Sequence, residues 1–218
     1  MSALKEDAGS QTLARGLTAL EVIGAADAPI SVSQLCQELG IHRSMAYRLV
    51  KTLEQFGFVE RDAAGGLSLG AKLSTLARGV AKSLQEAAAP EITALAAELE
   101  MTAFLATQDG DEVVTLSSAE PPNAETTVAK RPGSRHSMNK GAPGKVVRSQ
   151  VNPTDYPPNA FELSQDEVIP GVASIAVPLS IPGHKPAALA VIYLPREVET
   201  GTIVTKLQAA AKRIKASC

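Results

Sequence analysis

The sequence predicts an α+β chain: an N-terminal winged helix-turn-helix joined by a linker helix to a second, α/β half. Three observations predict this. Apolar residues recur at helical spacing over three short segments before residue 57, with a glycine-closed turn between the second and third. A glycine-tipped pair of strand segments follows at 58–69. Beyond residue 100, apolar runs of strand length alternate with turns, and an amphipathic segment closes the sequence.

The elements follow in order. Residues 1–11 are polar and read as a frayed terminus. The first helix begins near Thr12 and carries Leu13, Leu17, Leu20, Val22 and Ile23 on a broad stripe. It ends before Pro29, and Ile30 reads as a brief extended residue. Ser31 followed by Gln34 is the spacing of a capping box, and Gly40 is the glycine expected just past a helix end. The third helix starts after Ile41 and His42, carries Met45, Ala46, Leu49, Val50, Leu53 and Phe56, and stops at Gly57. Residues 12–70 thus form the first domain. A linker helix is expected over 71–88, its Leu73, Leu76, Val80 and Leu84 suiting a helix–helix seam. Pro90 is expected to split the helical run and open a separate helix to residue 100. Residues 89–218 form the second domain. Strands are expected at 102–106 and 113–117 around a turn at 108–111, and at 172–179 and 187–194. A closing helix is expected over 202–216. Seven of the 14 prolines fall within 118–158, which reads as mostly loop.

Charge narrows the function. The 218 residues carry a net charge of −2, with no Trp, 3 Tyr and 4 Phe. A wholesale nucleic-acid coat and a stacking platform for single strands are excluded. Two cysteines, Cys36 and Cys218, make neither a disulfide framework nor a four-ligand zinc site. No basic stretch followed by an apolar run opens the sequence, and no apolar run approaches bilayer length, so a cytoplasmic protein without membrane contact is expected. Residues 1–62 hold six Lys/Arg against eight Asp/Glu, yet 41–52 hold Arg43, Arg48 and Lys51 and no acid. One cationic helix on an electronegative domain suits a protein that reads double-stranded DNA with one element. Position assigns the roles. His42, Arg43, Ser44 and Tyr47, near the helix start, are expected at base edges, with Met45 in the same set. Arg48 and Lys51, further along, and Arg61, entering the wing, are phosphate candidates.

These residues resemble a known family. The run 13–17, the segment 35–41, the stretch Ser44-Met45-Ala46-Tyr47-Arg48-Leu49-Val50-Lys51-Thr52-Leu53 and Gly57-Phe58-Val59 are similar to the helix-turn-helix of IclR-type bacterial transcriptional regulators. In the second half, Ala142-Pro143-Gly144-Lys145 resembles the family's A-x-G-K loop, and 167–178 resembles its E-x-x-x-G-V-x-S-I-A-x-P strand entry. The resemblance implies a GAF-like α/β effector domain and a homodimer or dimer of dimers. It implies a repressor controlled by a small, possibly anionic effector. Asn139, Gly141, Ala142, Glu167 and Ser174 then fall in the effector site, and Tyr193, on the strand beside Ser174, is expected to offer its hydroxyl to the same space. Two departures stand out. Asn139 and Gly141 occupy positions where the family commonly has His and Thr, and 146–166 lacks several helical turns that wall the family's pocket. The alternative is a ligand-independent regulator whose shortened second domain serves dimerisation or protein interaction.

Six cations and no acid lie within 126–154 (Lys130, Arg131, Arg135, Lys140, Lys145, Arg148), which reads as either an anion-binding loop or a solvated basic one. An enzyme is not expected, nor any cofactor. The three histidines fall in unrelated segments, no nucleophile–base order or metal-ligand cluster appears, and 141–145 lacks the spacing of a phosphate-binding loop.

Overall fold

The computed structural model describes residues 9–77, 79, 81–122 and 126–218. They fall into two compact units, one ending at residue 80 and one beginning at residue 81.

In the first unit, α1 (Gln11–Ala25), α2 (Val32–Leu39) and α3 (Arg43–Gln55) precede a hairpin of β1 (Val59–Arg61) and β2 (Leu67–Leu69). The helix ends follow their local chemistry. Ser10 caps α1, so only the first eight residues of the expected frayed terminus lie outside the described ones. Ser31 accepts from the Gln34 backbone while Gln34 reaches back to Ser31, the reciprocal box that satisfies two orphan donors. Gly40 takes the left-handed conformation that closes α2. Ile30 forms a bridge to Leu67, tying the α1–α2 connection to the hairpin. Ala19, Ile23, Val32, Leu35, Ala46, Val50, Val59 and Leu67 pack into one core. Gly70 is obligatory, because a Cβ there would sit 2.3 Å from the Gly57 carbonyl oxygen. The helix α4 (Lys72–Ala77) ends this unit and buries none of its residues.

The expected linker helix over 71–88 is corrected. The helical run is interrupted between Ala77 and Lys82, and Ala81 takes a left-handed backbone. A helix with no buried face has little to extend it. Leu76 is exposed and Leu84 is buried in the second unit's core, so the expected seam is not one stripe; Val80 lies outside the described residues. The expected break at Pro90 is also corrected. Pro90 sits inside α5 (Lys82–Leu99), where it forfeits one backbone hydrogen bond. Pro90 is exposed, and burial of Leu84, Ala88, Ile92, Leu95 and Ala96 holds the helix through it.

The second unit is a six-stranded antiparallel sheet. Its strands are β3 (Thr102–Asp109), β4 (Glu112–Ala119), β5 (Arg135–Ser137), β6 (Glu162–Gln165), β7 (Ala173–Leu179) and β8 (Ala187–Tyr193), in the order β5-β4-β3-β8-β7-β6. β3 and β4 join through a two-residue turn in which Gly110 has positive φ. Helices α5 and α7 (Thr200–Ser217) cover one face, against Ala103, Leu105, Ile175, Val177, Leu189 and Val191. Helix α6 (Gly141–Val151) covers the other, against Phe104, Ala106, Ala176, Ala188, Ala190 and Ile192. Cover on both faces explains why β3, β7 and β8 read as continuous apolar runs. Helix α6 is not legible in the proline count that makes 118–158 read as mostly loop, and β6, just beyond that stretch, has no element expected over it. Pro143 is the third residue of α6, where its missing N–H has no intrahelical partner to lose.

Leu189→Ala, in a central strand with no side-chain exposure, should lower the free energy of unfolding by about 2–5 kcal/mol. Ser31→Ala, which removes only the cap, should cost about 1 kcal/mol. Urea titration followed by far-ultraviolet circular dichroism checks both.

Candidate functional site

The first unit offers one cationic helix surface. Helix α3 turns Ala46, Leu49 and Val50 inward and leaves His42, Arg43, Ser44, Met45, Tyr47, Arg48 and Lys51 exposed. All seven sequence-predicted residues of this helix therefore share its solvent side. Local contacts order several of them. His42 is the N-cap: its Nδ1 accepts from the Ser44 backbone N–H and lies 3.0 Å from the Ser44 hydroxyl. The Arg43 guanidinium stands over the Tyr47 ring, 5.8 Å from its centroid. The Met45 sulfur lies 3.1 Å from an Arg15 guanidinium nitrogen. Arg61 stands apart from a free cation, because its Nε donates to Glu54 at 2.8 Å. This pair ties the end of α3 to the first strand of the hairpin. At the hairpin tip, Asp62 accepts from the backbones of Ala64 and Gly66, and Gly65 has positive φ.

The second unit has an open cleft beside the start of α6. Gly141, Glu167 and Ser174, expected in the effector site, line it together with Phe104, Lys130, His136, Ser164, Val168, Ile169, Val172 and Ile192. Gly141 has a φ of 74°, and a Cβ there would meet the Val168 side chain at 2.9 Å, so glycine is required. The first backbone N–H groups of α6 are already taken. Gly141 donates to the Glu167 carboxylate at 3.0 Å. Ala142 donates to the hydroxyls of Ser164 at 3.0 Å and Ser174 at 3.3 Å, and these two hydroxyls lie 2.7 Å apart. The Lys145 ammonium bonds the other Glu167 oxygen and also the Leu163 carbonyl. A carboxylate of the chain itself thus sits at the positive end of α6. Burial pushes the Glu167 carboxyl upward, but the hydrogen bonds from Lys145 and Gly141 outweigh it and hold it below its ordinary value.

Three expected members do not line the cleft: Ala142, whose side chain is buried in the core beneath α6, Tyr193 and Asn139. Tyr193 pairs with Ala173 and packs on the α5–α7 side of the sheet, whereas Ser174 and Ile192 face α6. Adjacent residues on a strand point to opposite faces, so Ser174 and Tyr193 cannot share one space. Burial raises the Tyr193 phenol. Asn139 is drawn away by its bond from Arg148, whose guanidinium also stacks on Tyr156 at 3.9 Å. The six cations of 126–154 are dispersed rather than pooled. Arg135 pairs with Asp109 and Glu112, Lys145 with Glu167, and Lys130 is buried. Ser164 is not among the expected site residues, because no element is expected over 162–165. Its alternation in Glu-Leu-Ser-Gln is the signal that was available.

The lowered Glu167 carboxyl binds its proton less tightly in the folded than in the unfolded chain. Its contribution to stability is present above the ordinary carboxyl value of about 4.3 and is lost as pH falls through the lower folded value. Glu167→Gln should therefore melt below the parent at pH 7, and the gap should narrow as pH drops below about 4. Paired thermal melts across pH check it.

Comparison with known proteins adds the family. The model of the IclR helix-turn-helix domain matches residues 12–63. The DNA-binding transcriptional repressor YiaJ of Escherichia coli strain K12 is 26% identical over 166 residues, which is 75% of this chain and 58% of that protein. The chain spans about half the length of the curated relatives it matches. Among solved structures, an IclR transcriptional regulator from Alicyclobacillus acidocaldarius superposes with a TM-score of 0.84 at 20% identity, covering 96% of this chain and 99% of that one. An IclR homologue from Microbacterium hydrocarbonoxydans, complexed with 4-hydroxybenzoate, gives 0.79 at 21% identity, with coverages of 94% and 98%. These structures share the fold, and the relatives are named as regulators rather than enzymes. Residues 12–63 thus match the IclR helix-turn-helix domain, and the described residues share the fold of the solved IclR-type regulators.

Proposed function

We propose that the chain is a DNA-binding transcriptional repressor that reads duplex operators with α3 and is controlled by a small anionic effector in the α6 cleft. The observation that carries this reading is the exposed, acid-free row Arg43, Arg48 and Lys51 on the third helix of a winged helix-turn-helix. Arg43, in the first turn, is placed for bidentate pairing with guanine, its guanidinium steadied over Tyr47. His42 uses Nδ1 for the cap and keeps Nε2 for a base or phosphate. Arg48 and Lys51 hold phosphates. Arg61 reaches a phosphate only by sharing or leaving Glu54. A two-fold dimer would set two such helices in successive major grooves, about 34–36 Å apart. Effector control requires that the ligand bind two states of the protein with different affinity.

A second reading, a ligand-independent regulator, is favoured by one observation: the α6 amides are already bonded to Glu167, Ser164 and Ser174. The two readings part on whether any small molecule shifts the melting temperature or the DNA affinity. The YiaJ name supports the repressor role, and the 4-hydroxybenzoate complex of the Microbacterium homologue supports the effector.

Selection from a random duplex pool should enrich a two-fold symmetric site. Arg43→Ala should relax preference at one base pair by about 1–3 kcal/mol, while Lys51→Ala should weaken all sequences alike and reduce the salt slope by about one. Fluorescence anisotropy on the selected site checks both. Equal effects of the two variants on specific and random duplexes would sink the assignment of Arg43 to a base.

A further inference from the structure

The effector reading leaves open which group of the cleft meets the ligand's charge. The helix N-terminus, the usual anion site, is closed by Glu167, and Lys145 is spent on the same carboxylate. Lys130 is different. Its side chain is only 8% exposed, it lines the cleft, and it forms no ion pair among the described residues. Its ammonium lies 5.7 Å from the centre of the Phe104 ring. The backbone at this point is held, because the Lys130 carbonyl accepts from the Ser118 hydroxyl and Thr127 is bonded to Thr102. The lysine is therefore kept in the cleft rather than free to swing into solvent.

A buried ammonium without a counter-charge is unfavourable, and a ring face answers it only in part. Burial lowers the Lys130 amine, as expected for a charge short of partners. Among the described residues the neighbouring groups do not supply an anion. Burial holds His136 below its ordinary value, which keeps the ring neutral near pH 7, and the Lys130 charge pushes the same way. Glu167 already answers Lys145 and the Gly141 amide. The cleft lining thus carries one ammonium, Lys130, and one carboxylate, Glu167, whose charge is already answered by Lys145 from outside the lining. Val168, Ile169, Val172 and Ile192 give its walls an apolar character.

Resting on the effector reading above, we infer that Lys130 is the charge-selecting residue of the cleft, and that its ligand is a monoanion with an apolar body. One negative group of the ligand completes the Lys130 ammonium. The body lies against Phe104, Val168, Ile169, Val172 and Ile192. A second negative group finds no free amide at α6 and meets Glu167, so dianions are rejected.

The test uses the full chain and three probes of one shape: 4-hydroxybenzoate, its uncharged amide 4-hydroxybenzamide, and the dianion terephthalate. Titration calorimetry should show 4-hydroxybenzoate binding at least tenfold more tightly than either of the others. Lys130→Met, which keeps the stem and removes the charge, should erase that preference. It should also raise the melting temperature of the unliganded protein, because a buried unpaired charge is gone. Lys130→Arg should restore the preference for the monoanion and shows that loss in the methionine variant is not misfolding. If Lys130→Met keeps the tenfold preference, or terephthalate binds as well as 4-hydroxybenzoate, the inference is overturned while the effector reading stands. If none of the probes binds the parent protein, the inference is overturned, and the effector reading falls only if no small molecule shifts the melting temperature or the DNA affinity.

Discussion

Strands β3 and β8 are buried on both faces, and that constraint organises the second unit. A strand packed between α5–α7 and α6 must present apolar groups in both directions, so its polar chemistry moves to its ends and neighbours. Alternation then decides which face each group serves. Phe104, Ser174 and Ile192 belong to the α6 side, and Tyr193 belongs to the other for no reason except its parity. The side toward α6 is lined by Ala106, Ala176, Ala188 and Ala190, small residues that let a short helix come close. Gln150 reinforces that approach by donating to the Ala187 carbonyl on β8.

The first unit was legible in the sequence almost element by element. Its signals are local: Ser31 with Gln34, Gly40 just past a helix, and a glycine turn between two short strands. Local signals survive because few long-range contacts override them in so small a unit. In the second unit the sequence named β3, β4, β7, β8 and the closing helix, but it missed β5, β6 and α6 and misplaced the start of α5. Pro90 was read as a break because propensity favours one, yet the buried face of α5 outweighed it. Pro143 helped disguise α6, although a proline in the first turn of a helix is well tolerated. The site suffered in the same way. Glu167, Gly141 and Ser174 were found by motif, whereas Lys130 was visible only as one cation among six until the fold buried it.

The two candidate surfaces use charge in opposite ways. On α3 the cations are exposed and act through a long, salt-sensitive field suited to a polyanion. In the α6 cleft the charges are few, partly desolvated and mutually constrained, so a single added charge matters more. A helix N-terminus bonded to the chain's own carboxylate is stable without a ligand. That stability keeps the cleft formed in the empty state and leaves recognition to groups at its walls.

The sheet ends in two very short strands, β5 with three residues and β6 with four. An open sheet of six antiparallel strands would otherwise present two long rows of unpaired backbone donors and acceptors. Trimming both borders to little more than a single pairing repeat denies neighbouring molecules a template for strand addition. The domain is thereby protected against lateral polymerisation, even though Leu163 on β6 is exposed.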